Sequence, residues 1–236
     1  MSSIENPSKI VLIRKKKIMD VSIPSENTQF PIGVLSKIKL IEPTCRFPIM
    51  KKWIKEINFE KSVKYDEYNR KEYFEPIMDI VLDEDVKNGK KLRNTLIKFI
   101  PTISSEKLNC KTEWLYLFVI DGRIVKIGGT RTGIKGRVAS YLCGHHVEER
   151  GKSGDCSKTN GFIYNTFEFY LKMGCKIEMY GYELPKKTFE IDIFGEKIEI
   201  VSQTFHAYES KFLEDFKKKY DMYPILSDNC DPNYRK

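Results

Sequence analysis

The hydrophobic positions change period several times along the second half of the chain, and each change marks an element. Two apolar runs, Leu115–Ile120 and Arg123–Gly128, lie either side of Asp121-Gly122, the pattern of a β-hairpin. Ile134, Val138 and Leu142 then recur at helical spacing, with Thr130 or Thr132 placed to cap the helix start. A polar loop containing glycines, Gly144–Gly161, leads into an aromatic helical stretch, FIYNTFEFYLKM. A strand in CKIEMYGYEL, a second hairpin turning at Phe194-Gly195 and a helix from about Phe205 to Tyr220 complete the half. This order predicts an α+β fold, a small and mostly antiparallel sheet flanked by helices.

The first 109 residues are patterned less regularly. A strand-like KIVLIRKKKIMDVSI is followed by a proline-punctuated stretch from Pro24 to Pro48, then by helical patterns in MKKWIKEI, EYFEPIMDIV and KKLRNTLIKFI. We divide the chain into residues 1–109, an additional α/β region available for dimerisation or for contact with a binding partner, and residues 110–236, a folded unit with its own site.

The first hairpin carries two polar residues, Tyr116 and Lys126, inside otherwise apolar strands. If Asp121-Gly122 is the whole loop, Tyr116 falls opposite Ile127 and the two polar side chains face opposite sides of the sheet. A three-residue loop, Ile120–Gly122, with a bulge places Tyr116 directly across from Lys126. In that register the two Cβ atoms are about 5 Å apart and an ammonium beside the phenol favours phenolate; a tyrosine reaching water and a snorkelling lysine are the structural alternative.

Two helices add chemistry. Arg137 and Tyr141, four residues apart, share one helix face, and Arg137 offers a fork for phosphate oxygens. Gly128-Gly129-Thr130 leaves the second strand toward a helix N-terminus, where backbone amides suit a phosphate. In FHAYESKFLEDFKKKY, the residues Phe205, Phe212, Leu213, Phe216 and Tyr220 form an apolar stripe with Glu209 in its middle, whereas Glu214 points away. A carboxylate on a core-facing stripe must be paired, protonated or bound to a cation.

Composition narrows the partner. In 236 residues, Lys and Arg number 41 against 33 Asp and Glu, a formal net charge of +8, which favours a polyanion. There is no run of roughly 18 apolar residues for a membrane span, and MSSIENPSK lacks the apolar core of a secretory signal, so the expected location is the cytoplasm. The six cysteines form no CxxC pair, which suits reduced thiols. Cys143, His145, His146 and Cys156 fit no common zinc spacing and read as a loop.

LYLFVIDGRIVKIGGTRTGIKGRVASYL resembles the core motif of the GIY-YIG nuclease superfamily. Leu115-Tyr116 stands at the first half-motif and Lys126-Ile127-Gly128 at the second, and a later helix bears Glu209. Lys126 in place of the second tyrosine, and the CSKTN stretch, are similar to the restriction endonuclease branch. The likeness spans Glu113 to Pro224.

It implies a type II restriction-like endonuclease that cuts both strands of a short double-stranded DNA site as a homodimer. Tyr116 would be the general base, Lys126 would lower its pKa, Arg137 would hold phosphate oxygens with Tyr141 in support, and Glu209 would hold one Mg²⁺ or Mn²⁺. Thr130, Lys135, Arg150, Lys152, Ser157, Lys158, Thr159 and Asn160 are the candidate DNA contacts. Some restriction members carry a histidine where this chain has Gly129; His145 or His146 is the available substitute. The alternatives are a nicking, repair or mobile-element nuclease of the same chemistry, and a DNA-binding relative without turnover.

Overall fold

The strand Trp114–Ile120, WLYLFVI, shows no polar alternation, and a strand that is apolar on both sides must be covered on both. All seven of its side chains are buried. In a computed structural model the chain is described for residues 9–14, 17–22, 52, 54–55, 57, 62–87, 95–146 and 157–227. Its strands are β1 (Lys9–Arg14), β2 (Lys17–Ser22), β3 (Glu75–Leu82), β4 (Ile97–Pro101), β5 (Trp114–Ile120), β6 (Arg123–Thr130), β7 (Ile177–Glu183), β8 (Thr188–Ile193) and β9 (Glu196–Val201). The helices are α1 (Glu84–Lys87), α2 (Ser105–Asn109), α3 (Ile134–Leu142), α4 (Lys158–Lys172) and α5 (Phe205–Tyr220).

The fold is α+β. Five antiparallel strands run in the order β4-β3-β7-β5-β6, while β1-β2 and β8-β9 form separate two-stranded hairpins. On one face, Trp114, Tyr116, Phe118 and Ile120 of β5 pack with Ile134 and Tyr141 of α3 and with Phe162, Ile163 and Phe167 of α4. On the other face, Leu115, Leu117 and Val119 pack with Phe205, Leu213 and Phe216 of α5 and with Tyr68 and Phe74. Burying side chains of this size contributes roughly 1.5–3 kcal/mol each, so β5 anchors both layers.

Three expectations are corrected here. The helical patterns at residues 72–81 and 90–100 end in strands: β3 turns Met78 and Ile80 into the core while pairing with β4 and β7, and those cross-strand bonds outweigh a short apolar periodicity. The division at residues 109 and 110 runs through one sheet, because β3 and β4 pair onto β7. The segment Gly144–Gly161 is not all loop. Cys143–His146 form a 3-10 turn, and α4 begins at Lys158 with Ser157 as its cap, the Ser157 hydroxyl accepting from the Asn160 amide at 3.1 Å.

The second hairpin turns at Phe194-Gly195 as expected, both residues in the left-handed region (φ 56° and 83°) that a two-residue hairpin turn requires. Among the described residues, no helix is long and apolar enough to cross a membrane.

The edge strand β6 is covered along part of its length. The Ile124 amide donates to the Val63 carbonyl and the Leu226 amide to the Val125 carbonyl, while the Ser227 hydroxyl bonds both backbone groups of Ile127. Among the described residues these cross-links end at Ile127. The next two residues of the edge strand are Gly128 and Gly129, and the candidate site forms around them.

Candidate active site

Tyr116 pairs directly with Gly128 across the β5-β6 ladder. A Cβ at Gly128 would fall 2.5 Å from the Tyr116 ring carbon Cζ and closer still to its oxygen, so only glycine lets the phenol lie across the neighbouring strand. From α3, which begins at Ile134, the first turn brings Arg137 and the second brings Tyr141. The two phenol oxygens are 2.8 Å apart; Arg137 donates through Nε to Tyr116 (2.8 Å) and through Nη2 to Tyr141 (2.9 Å). The guanidinium also lies 4.4 Å from the centre of the Tyr141 ring.

Counting hydrogens in this triangle assigns the chemistry. The two phenols own two protons, one of which lies between the oxygens, so a single O–H remains for a partner outside. Burial pushes the Tyr116 phenol above its ordinary range. The Arg137 charge pulls it back, as do the hydrogen bonds from Tyr141 and Arg137, and the Glu209 carboxylate pushes it up. Burial and the Tyr116 hydroxyl both push Tyr141 well above its ordinary range. The Tyr116 oxygen is thus hydrogen-bonded to both Arg137 and Tyr141.

Lys126 is placed differently from either sequence register. The loop is the two-residue Asp121-Gly122, and a bulge between Phe118 and Val119 shifts the ladder by one, pairing Phe118 with Lys126. Tyr116 and Lys126 thus share a face but sit diagonally. The Lys126 ammonium, 4% exposed, donates to the Leu226 carbonyl at 3.3 Å. The cation hydrogen-bonded to the phenol is Arg137.

Glu209 approaches from the opposite side of the sheet. Gly129 pairs with Leu115 on the α5 face, and a Cβ there would lie 2.8 Å from Phe205 and 3.1 Å from the Glu209 carboxylate. Any larger residue, the histidine of some restriction members included, would push α5 away. His145 is held by the Leu142 carbonyl (2.7 Å) and lies against Tyr164. Adjacent glycines thus bring a phenol over one face and a carboxylate under the other, just past the last of the cross-links that cover β6 among the described residues. The half-buried Glu209 makes no hydrogen bond or ion pair among the described residues.

The other candidate residues are spread out. Thr130 is buried, accepts from the Thr132 amide and does not cap α3, which starts behind Gly133 at φ 82°. Lys135 is exposed and donates to Asn109 (2.7 Å). Asn160 points inward, its amide donating to the Ser140 carbonyl at 3.1 Å, a position that ties α4 to α3 rather than reading a base. Ser157 caps α4, Thr159 is half-buried in its first turn, and Lys158 opens the helix. Arg150, Lys152 and Cys156 lie outside the described residues. Among the described residues no three His, Cys, Asp or Glu side chains cluster as a metal cage.

Sequence reading missed the steric role of Gly128 and the clamp of Leu226 and Ser227. A glycine pair inside a strand was the available signal for the first, since it marks close approach of another group; the tail offered none. We expect Gly128→Ala to displace the phenol, costing about 1–3 kcal/mol of stability and roughly 100-fold in any turnover that uses Tyr116, measured by thermal melting and plasmid cleavage. Wild-type turnover in that variant would separate the phenol from the chemistry.

No family model and no curated protein matches the chain. Among solved structures it is similar to a restriction endonuclease, HPY188I, in complex with product DNA: 28% identity over 73% of this chain and 88% of that one, with a TM-score of 0.46. It is also similar to a mutant of bacteriophage T4 EndoII, at 21% identity over 62% of this chain and 90% of that one, with a TM-score of 0.40.

Proposed function

We propose that the chain is a site-specific endonuclease of restriction type that hydrolyses phosphodiester bonds of double-stranded DNA, acting as a homodimer in the cytoplasm. The observation that carries this reading is the Tyr116–Tyr141–Arg137 triangle set at the glycine gap of β6, with Glu209 on the other side of that gap. A phenol, a guanidinium and a carboxylate around an opening in an edge strand suit an anionic phosphate and an attacking water.

Tyr116, as the phenolate that Arg137 and Tyr141 hold by hydrogen bonds, accepts the proton of the attacking water and becomes the neutral phenol as the water oxygen bonds to phosphorus and the 3′ oxygen leaves. Arg137 spends Nε and Nη2 on the two phenols and presents Nη1 to a phosphate oxygen. Lys126 fixes the C-terminal segment against β6 and adds positive charge on the Tyr116 face. Glu209 would hold Mg²⁺ or Mn²⁺. One carboxylate with no competing hydrogen bond, completed by water and phosphate oxygens, suits such an ion. When bound, the ion supplies positive charge to the leaving 3′ oxygen.

The pH dependence follows from the phenol. The active form is deprotonated and Tyr116 is pushed above the ordinary tyrosine value of 10.0, so only a small fraction is phenolate at neutral pH. The single-turnover rate is expected to rise about tenfold per pH unit between roughly pH 7 and 9, without a plateau in that window. A rate that is flat or falling there would remove Tyr116 as the base. Digesting a plasmid of known sequence with added Mg²⁺ and mapping the ends tests the whole reading: discrete ends on both strands support it. Nicked circles indicate a strand-nicking enzyme, and intact plasmid indicates binding without turnover.

A further inference from the structure

On the α5 face of the sheet, a cavity of about 290 Å³ is lined by Tyr73, Tyr182, Tyr208 and Phe212, with Arg70, Lys211 and Asp215 around them. The rings form one connected group: Tyr73 is 5.5 Å from Tyr182 and 5.7 Å from Phe212, and Tyr182 is 6.4 Å from Tyr208. They are not closed over by the fold, since Tyr73 is 44% exposed and the other three are half-buried. Tyr182, Tyr208 and Phe212 pack onto the core with one side and leave the cavity side open, so the group offers stacking area to a ligand.

The charges select the ligand class. A box of tyrosines would suit a quaternary ammonium. Here, however, the single carboxylate is committed: Asp215 accepts from Arg70 through Nε (2.8 Å) and Nη2 (3.2 Å) and from Asn69 (3.3 Å). The Arg70 hydrogen bond holds that carboxyl below its ordinary range. Arg70 is spent on Asp215 and Lys211 stands 3.7 Å from Glu214, so the charges around the cavity pair off and leave no free carboxylate to draw in a cation; a flat, neutral ring is the occupant such a box accepts.

Position relates the cavity to the candidate site. Tyr182 pairs with Leu115, and Leu115 with Gly129, where the Glu209 carboxylate lies. Two strand spacings amount to about 10 Å, roughly three stacked nucleotides. Tyr208 and Phe212 belong to the same helix as Glu209.

Taking the phosphate-cleaving reading of the Glu209 region as given, we propose that this cavity receives an unstacked nucleobase of the bound strand, within about three nucleotides of the scissile phosphate. The base stacks on Tyr73 and Tyr208, and Arg70, through the Nη1 that Asp215 leaves unused, and the exposed Lys211 contact its flanking phosphates. Distorting the duplex at that point makes the sequence beside the cut part of recognition, because a weakly stacked or mispaired base enters at lower cost.

The test uses the full chain in EDTA, with fluorescence anisotropy on two probes: a mixed-sequence single-stranded 12-mer, and a 12-mer of the same backbone with abasic sites throughout. The wild-type chain should bind the base-bearing strand about tenfold or more tightly than the abasic one. Tyr73→Ala/Tyr208→Ala should lose that preference while keeping its affinity for the abasic strand, and Tyr73→Phe/Tyr208→Phe should retain it. Equal binding of the two probes by the wild-type chain, or a preference that survives in the alanine variant, overturns the proposal. If the alanine variant fails to fold by circular dichroism, Tyr73→Ala alone takes its place. Plasmid cleavage is scored separately: cleavage without base preference removes the cavity alone, and base preference without cleavage removes hydrolysis alone.

Discussion

Glu209→Gln is expected to abolish divalent-dependent cleavage, by roughly 10²–10³-fold or more, while leaving the fold and DNA binding in place. The side chain is half-buried and makes no hydrogen bond or ion pair among the described residues, so its replacement by the amide of the same shape should change stability by less than about 0.5 kcal/mol. Removing a negative charge beside the phosphate site should hold DNA affinity steady or raise it. Cleavage in Mg²⁺ and Mn²⁺, filter binding in EDTA and a thermal melt on one preparation separate these effects. A variant that cuts within threefold of the parent would take the carboxylate out of the mechanism. If it loses both binding and melting temperature, Glu209 is a structural residue.

The second large effect belongs to Tyr116→Phe, which keeps the ring over Gly128 and deletes one oxygen. Arg137 and Tyr141 stay joined through Nη2, but Nε loses its acceptor in a largely buried setting. That is expected to cost about 1–3 kcal/mol of stability. Cleavage should fall by roughly 10²–10⁴-fold, the range of a lost general base, and the rise of rate with pH should vanish with it. Tyr141→Phe removes the hydroxyl hydrogen-bonded to Tyr116 rather than the proposed base, so its loss should be smaller and the pH slope should survive. If Tyr141→Phe proves the more damaging and flattens the profile, the two phenols exchange roles.

The parts of this arrangement that could be read from sequence are those set by local period. Ile134, Val138 and Leu142 fix the face of α3, and therefore the phase of Arg137 and Tyr141; the apolar stripe of α5 fixes Glu209. Asp121-Gly122 marks the turn. What one strand cannot disclose is a register altered by a bulge: moving the ladder by one residue at Phe118 set Lys126 beside Phe118 and opened Gly128 to the phenol. For a related reason β3 resembled a helix: Ile77, Ile80 and Val81 stand at helical spacing, and only the pairing with β7, through a bulge between Pro76 and Met78, makes the segment a strand. Asn160, polar and next to a glycine, looked exposed; only the packing of α4 on α3 turned it inward.

The β7 seam has a practical consequence. Because β3 and β4 complete the sheet that carries Tyr116, the two halves of the chain are not interchangeable cassettes: cutting or grafting at the midpoint would strip β7 of one neighbour and bare an adhesive edge. Efforts to retarget such a protein by recombination should place their crossovers outside the span from β3 to α5, where no strand of the sheet is parted from its neighbour.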